Sequence, residues 1–87
     1  MENMIEKKEN NNILSIANNI QYNLQKEADA IRDYTDLLNM TKSSDIDEEQ
    51  KKHIFDVIGE IIADELNHQQ KLVELYTKLT TIQANLD

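Results

Sequence analysis

The chain has 87 residues, a formal net charge of −8, no cysteine, no proline and one glycine. This length is enough for one small domain, and the absence of cysteine excludes a disulfide framework. Nucleic acids and anionic membrane surfaces are excluded as partners by the charge, because both are bound through lysine and arginine. No stretch is apolar and long enough to span a bilayer and no secretory leader opens the chain, so we expect a cytoplasmic protein.

The first eleven residues, MENMIEKKENN, are polar and lack periodicity. We predict that residues 1–11 form a flexible tail and that residues 12–87 form a single domain. Asn12 is then the predicted N-cap of the first helix, since an Asn side chain can accept a hydrogen bond from the first turn.

Apolar residues then recur with alternating spacings of four and three, which is typical of a helix that packs along one face. This heptad seam predicts the first helix. Its apolar members are Ile13, Ala17, Ile20, Leu24, Ile31 and Leu38, and its two remaining positions hold Glu27 and Tyr34.

The periodicity stops at TKSSDID, which predicts a turn over residues 43–47. Ser44 or Asp45 can cap a second helix, and Asp45 with Glu48 resembles a capping box. The second helix has its own heptad seam, in which Glu65 and His68 fill a gap between apolar residues. The apolar members are Ile54, Ile58, Ile61, Leu72, Leu75 and Leu79.

Two helices and one turn predict an all-α fold, an antiparallel two-helix hairpin with each helix about 30 residues long. A lone pair of such helices buries little surface. The second helix carries another apolar line beside its seam, formed by Phe55, Ile62, Leu66, Val73 and Tyr76. We therefore predict a homo-oligomer in which two hairpins pair into a four-helix bundle.

Three ligand-type side chains are expected at one height of this hairpin. Glu27 is as far from the turn as Glu65 and His68, and Glu65 with His68 forms a Glu-x-x-His pair on one helix face. A dimer would contribute two copies of each, the ligand set of carboxylate di-metal sites in four-helix bundles. Hard oxygen donors with one imidazole per ion favour iron, with manganese as the alternative, over a closed zinc site.

On these residues the chain resembles the ferritin-like superfamily, in its rubrerythrin-like and encapsulated ferritin-like branch. The resemblance lies in EADAIRDY, with Glu27 and Tyr34, and in DELNH, with Glu65 and His68. It implies a di-iron centre held by Glu27, Glu65 and His68, with Tyr34 close by, and a catalytic role for all four residues. It also implies oxidation of Fe(II) by dioxygen or peroxide, a ferroxidase activity that serves iron storage or detoxification.

The same resemblance names an encapsulin-type shell as a partner and such a compartment as an alternative location. The chain ends in TTIQANLD, in which no clear targeting peptide is recognisable. Residence in a shell is therefore not expected from this stretch.

A second interpretation needs no metal. Glu65 and His68 would then be a polar pair that sets the helix register of an assembly or adaptor module. Asp64 is read either as a residue that orients a ligand or as a surface residue, and Glu60 as a weaker ligand candidate. Gly59 is predicted to leave room for the ring of Tyr34 or for a close approach between the helices.

Overall fold

The computed structural model describes residues 2–86, and the side chains of residues 12–85. Over this range the chain is all-α, as predicted. Helix α1 spans Glu2–Lys42 and helix α2 spans Glu48–Leu86. Residues 43–47 join them where the turn was predicted. Met1 and Asp87, the outer ends of the predicted tail and domain, lie outside the described residues.

Helix α1 begins ten residues before the predicted start, so Asn12 lies inside the helix and is not its N-cap. Residues 2–11 contain no glycine or proline, and their glutamate, lysine and methionine residues have good helix propensity. Extending a helix that already exists requires no new nucleus. The helix therefore continues through residues 2–11 although they have no apolar periodicity. The predicted flexibility of residues 1–11 stays a prediction.

The cap of α2 is Asp47 rather than Ser44 or Asp45. Its Oδ1 accepts a hydrogen bond of 2.8 Å from the backbone N–H of Gln50, the third residue of the helix. At the end of α1, the Nζ of Lys51 donates to the carbonyl oxygen of Lys42 over 3.3 Å. The turn is therefore stabilised from both helices.

The two helices lie against each other in a particle 68 Å long and 15 by 13 Å across. Contacts occur at increasing distances from the turn. Nearest the turn, Lys51 contacts Lys42. Farther out, His68 lies near Glu27, and beyond them Gln21 Nε2 donates to the hydroxyl of Tyr76 over 2.9 Å.

The core between the helices is thin. Only Ala17, Ile20 and Thr41 are classed as buried among the described side chains, and none of these side chains is fully buried. Thr41 satisfies its hydroxyl by donating to the carbonyl oxygen of Leu37 over 2.8 Å. The other seam residues of α1 from Ile13 to Leu38 are half-buried, so the α1 seam was correctly predicted.

The predicted seam of α2 is wrong at two positions, because His68 and Leu75 are exposed. With a single neighbouring helix, the contact surface of α2 takes in only part of its second apolar line. Phe55, Ile62 and Tyr76 of that line are half-buried, as is Gln69, whereas Leu66 and Val73 are exposed. His68 and Leu75 consequently lie at the rim of the contact with α1.

Gly59 does not face Tyr34 or α1, as had been predicted. It is exposed, and a Cβ atom added to it would meet nothing within 4 Å. The prediction that Gly59 makes room for Tyr34 or for α1 is therefore wrong. In neither helix, over the described residues, is there a stretch long and apolar enough to cross a membrane.

Candidate metal centre

Glu27, Glu65 and His68 meet near the middle of the helix pair. Glu27 projects from α1, and Glu65 and His68 project from α2. The spacing of three residues brings the two α2 side chains to one side of that helix. Each of the three residues offers one donor atom, and these atoms all lie within 4.8 Å of one another. The proximity expected from their equal distances to the turn is therefore present.

These distances are close to what one cation requires. Ligand atoms lie about 2.1 Å from a small divalent cation, so two ligands of one ion are at most about 4.2 Å apart. The three donors would have to approach by about half an ångström, which rotations of the side chains can supply. The spacing therefore fits a shared cation.

The Glu27 carboxylate is more enclosed than the His68 imidazole. Its side chain is 23% exposed, whereas that of His68 is 54% exposed. The Oε2 atom of Glu27 is buried and has no hydrogen-bond partner among the described residues. Its Oε1 lies 3.9 Å from His68 Nδ1, which is too long for a hydrogen bond. A buried carboxylate oxygen without a donor is costly, and a bound cation would satisfy it.

One chain provides too few donors for a complete site. Two carboxylates and one imidazole leave positions of a four- to six-coordinate ion without protein ligands. His68, the exposed member, lies on the side of the cluster that α1 does not cover. Additional ligands therefore have to approach from that side.

The cluster opens into a shallow groove between the helices, here called the site groove. Lys71 lines this groove, one turn after His68. The sequence analysis missed Lys71 and Asn23, although both lie one helical turn from a predicted ligand. The lining residues are Asn23, Glu27, His68, Lys71 and Leu72.

A second groove, the turn groove, lies between the helices nearer the turn and opens on the same side. The two grooves are related by a shift of 14 residues along each helix. Fourteen residues are two heptads, after which a packed helix presents the same face again. Five residues of the turn groove are each 14 positions from a residue of the site groove. These five are Leu37, Thr41, Ile54, Val57 and Ile58. The two grooves and the exposed side chains in line with them, Leu75 and Ile82, are called the groove face.

The remaining predicted residues lie outside the cluster. Tyr34 is half-buried one heptad from Glu27, about 10 Å along the helix axis, and is not among the groups brought together. Glu60 and Asp64 are exposed and do not belong to the cluster either. His53 is exposed and lines the turn groove. The catalytic role of Tyr34 stays a prediction.

Comparison of the chain with protein-family models, with curated proteins and with solved structures finds no match. The interpretation of the cluster therefore rests on its residues and their geometry.

Proposed function

We propose that the chain is an antiparallel helical hairpin that pairs with a second copy into a ferritin-like four-helix bundle in the cytoplasm. The bundle holds a di-iron centre between the copies and oxidises Fe(II) with dioxygen or peroxide as the electron acceptor. The observation that carries this proposal is the convergence of Glu27, Glu65 and His68, with donor atoms within 4.8 Å.

The hairpin is supported by the order of its contacts. Moving outward from the turn, Lys51 pairs with Lys42, His68 with Glu27, and Tyr76 with Gln21. Residue numbers rise on α2 while they fall on α1, which is the pattern of two antiparallel helices.

Pairing through the groove face is supported by what remains exposed there. Leu37 and Val57 are exposed near the turn, and Leu75 and Ile82 are exposed one and two heptads beyond His68. A second copy would cover these side chains, and it would supply a second set of donors beside the exposed His68. The four-helix bundle is the arrangement in which such ligand sets are completed.

Charge balance supports two divalent ions per dimer. Two copies would place four carboxylates, from Glu27 and Glu65, around one enclosed space. Such a group of like charges is very unfavourable without cations. Two divalent ions supply four positive charges, and the donor set of oxygen with one imidazole per ion suits iron or manganese.

Each residue of the cluster has a role that follows from its position. Glu27, whose carboxylate has one buried oxygen without a hydrogen-bond partner among the described residues, would hold one ion from α1, and Glu65 would be the carboxylate shared between the ions. His68 would contribute the nitrogen donor from the rim. Iron bound by these three side chains would supply the one-electron redox chemistry.

The test is anaerobic loading with Fe(II), followed by measurement of iron per chain and of particle mass in the same sample. About one iron per chain on a dimer-based particle is expected, and Glu65→Ala should lose it. Glu60→Ala, which removes an exposed glutamate of the same helix, is the matched control and should load normally. Admission of oxygen should then convert Fe(II) to Fe(III) in the wild type and the control only.

Undiminished iron oxidation by Glu65→Ala would refute the assignment of this residue. Absence of bound iron and manganese in the wild type would refute the metal centre as a whole. A peroxidase reaction would show as faster turnover with peroxide than with dioxygen at the same site.

A second candidate is a metal-free assembly or adaptor module. It is favoured by the 3.9 Å approach of His68 Nδ1 to Glu27 Oε1, which a protonated imidazole would make an ion pair. In this case the two side chains set the helix register. Thermal unfolding separates the candidates, because a metal that binds only the folded chain must raise the melting temperature.

A further inference from the structure

Asp64 and Lys71 are oppositely charged residues of α2 that lie in one line along the groove face. They are one heptad apart, so they share one side of the helix, and both are exposed. Lys71 lines the site groove, and Val57, one heptad before Asp64, lines the turn groove. Among the described residues, neither Asp64 nor Lys71 forms an ion pair. Both charges are therefore available to another molecule that covers this face.

The metal centre lies halfway along α2. The helix spans Glu48–Leu86, so its middle residue is Asn67, between Glu65 and His68. A second copy that is turned end over end about this point would cover the whole length of α2. It would also place its own ligands at the same height. A two-fold axis perpendicular to the helices is therefore compatible with a shared metal centre.

The seam of α2 has the same spacing when it is read in either direction from this point. In the turned arrangement, each apolar seam residue of one copy comes level with an apolar seam residue of the other, and Glu65 comes level with His68. The level apolar pairs are Ile54 with Leu79, Ile58 with Leu75, and Ile61 with Leu72. An isoleucine thus meets a leucine in each of these layers, which suits continuous packing on both sides of the metal centre.

The shape of the groove face favours this arrangement over a parallel one. In a parallel pair the turn groove would come level with itself, and two facing hollows leave space that close packing does not tolerate. In the antiparallel pair, the exposed Leu75 and Ile82 come level with the turn groove of the other copy. Only the site groove then faces itself, and the proposed ions would fill that space.

We propose that Asp64 of each copy pairs with Lys71 of the other, and that these two reciprocal ion pairs set the copies antiparallel with their α2 helices side by side. In this arrangement Asp64 is level with Gln69 of the other copy, two residues or about 3 Å along the axis from Lys71. In a parallel pair every residue is level with its own counterpart, so this attraction is absent. The inference rests on the proposed pairing of two copies through the groove face.

The other charges of α2 do not reverse this preference. Glu60 and Glu74 also come level, but Glu60 follows Val57 by three residues and Glu74 follows Lys71 by three. Each therefore lies about 60° farther around the helix, on the side away from α1. Both are exposed, and water and salt screen charges in such positions. Asp64 and Lys71 lie closer to the other copy, so their attraction outweighs this repulsion.

Charge reversal tests the ion pairs. Asp64→Lys brings two lysines together at each pair and Lys71→Asp brings two aspartates together, so each variant alone should associate about tenfold more weakly than the wild type. An equimolar mixture of the two variants has opposite charges at both pairs again and should associate as the wild type does. Asp56→Lys reverses an exposed charge about 100° around the helix from Val57 and is the control, which should associate normally.

Sedimentation equilibrium with and without Mn(II) gives the dissociation constants for this comparison. Wild-type association of either single variant would overturn the proposal, as would a mixture that associates no better than the variants alone. A wild type that stays monomeric under both conditions would overturn it too.

Disulfide trapping tests the direction independently. The chain has no cysteine, so each variant carries one thiol. A mixture of Val57→Cys and Lys78→Cys should form cross-linked pairs under mild oxidation, because these positions flank the seam at nearly the same level in the antiparallel pair. Val57→Cys alone should form few, because its two thiols would be about 28 Å apart along the helix axis. Equal or higher yields from Val57→Cys alone would refute the antiparallel direction.

Iron loading separates this inference from the proposed function. A wild type that binds iron, but whose Val57→Cys variant cross-links efficiently to itself, would keep the metal centre and refute the antiparallel ion pairs. Antiparallel cross-links in a chain that binds neither iron nor manganese would support the ion pairs and refute the metal centre.

Discussion

Glu27 is the residue whose surroundings most need an explanation. It is a half-buried carboxylate on α1, and one of its oxygens has no hydrogen-bond partner among the described residues. A second carboxylate, Glu65, offers an oxygen within 4.8 Å. Two like charges at this distance repel each other, and water screens them incompletely between packed helices. The metal-free chain is therefore destabilised at the point where a cation would stabilise it.

Replacement of Glu27 by glutamine tests whether the charge of this one side chain destabilises the metal-free chain. Glu27→Gln keeps the shape and removes the charge, so the metal-free chain should be as stable as the wild type or more stable. Metal at 100 times its dissociation constant should stabilise the wild type by about 2.7 kcal/mol. The variant should lose this gain, as measured by urea unfolding with and without Mn(II).

Asp33→Asn is the matched control, since Asp33 is an exposed acidic residue on the same helix. It should keep the full gain in stability from metal. A gain in Glu27→Gln equal to that of the wild type would exclude Glu27 as a ligand.

At the scale of the element, α2 contacts α1 on one side and carries the groove face on one flank. Gly59 is exposed and has open space where a side chain would be. Nothing within the chain compensates for the flexibility that a glycine gives to an unfolded backbone. Gly59 therefore lowers the stability of α2, and no contact among the described residues explains why a glycine stands there.

Gly59→Ala should therefore stabilise the chain by about 1 kcal/mol, because alanine favours the helix and its Cβ meets no neighbour. The measurement is urea unfolding at low protein concentration, where association between copies is weak. Ala63→Gly, the reverse change at an exposed position one turn away, should cost about the same amount. A loss of stability in Gly59→Ala would mean that a neighbouring backbone contacts this residue.

At the scale of the whole molecule, a rod 68 Å long has a core in which no described side chain is fully buried. Two helices of this length expose apolar side chains on several sides, and a surface of this kind marks an interaction site. The three candidate metal ligands lie beside one such surface, the groove face. Association and completion of the site are therefore expected to be one event.

Leu75→Lys tests this coupling, since Leu75 lies on the groove face one heptad from His68 but is not a ligand. It should separate the copies at this face and lower iron binding at least tenfold, although all three ligands remain. Leu14→Lys is the control, because Leu14 is an exposed leucine on α1 that lies outside the groove face. Ile16, one heptad before Asn23 of the site groove, is two residues and about 200° around the helix from Leu14. Iron per chain and particle mass are measured together. A fully loaded monomer of Leu75→Lys would mean that one chain completes the site.

The position of the turn and the meeting of the three candidate ligands could be predicted from the sequence. The breaks in periodicity located the turn at residues 43–47, and equal distances from that turn predicted that Glu27 would meet Glu65 and His68. Both rest on local spacing, which a helix converts directly into direction and height. The start of α1 was missed because helix propagation through residues 2–11 needs no apolar pattern. Asp47 was missed as the cap because its neighbours Ser44 and Asp45 are equally good capping types.

The sequence by itself determined two helices, one turn and the level at which three ligand-type residues meet. The tertiary structure alone decided which side of α2 faces α1. Two apolar lines run along α2, and packing against α1 covers part of each. That packing leaves His68 at the rim and adds Lys71 to the site groove. It also leaves Leu66 and Val73 exposed, because one neighbouring helix can cover only one side of another.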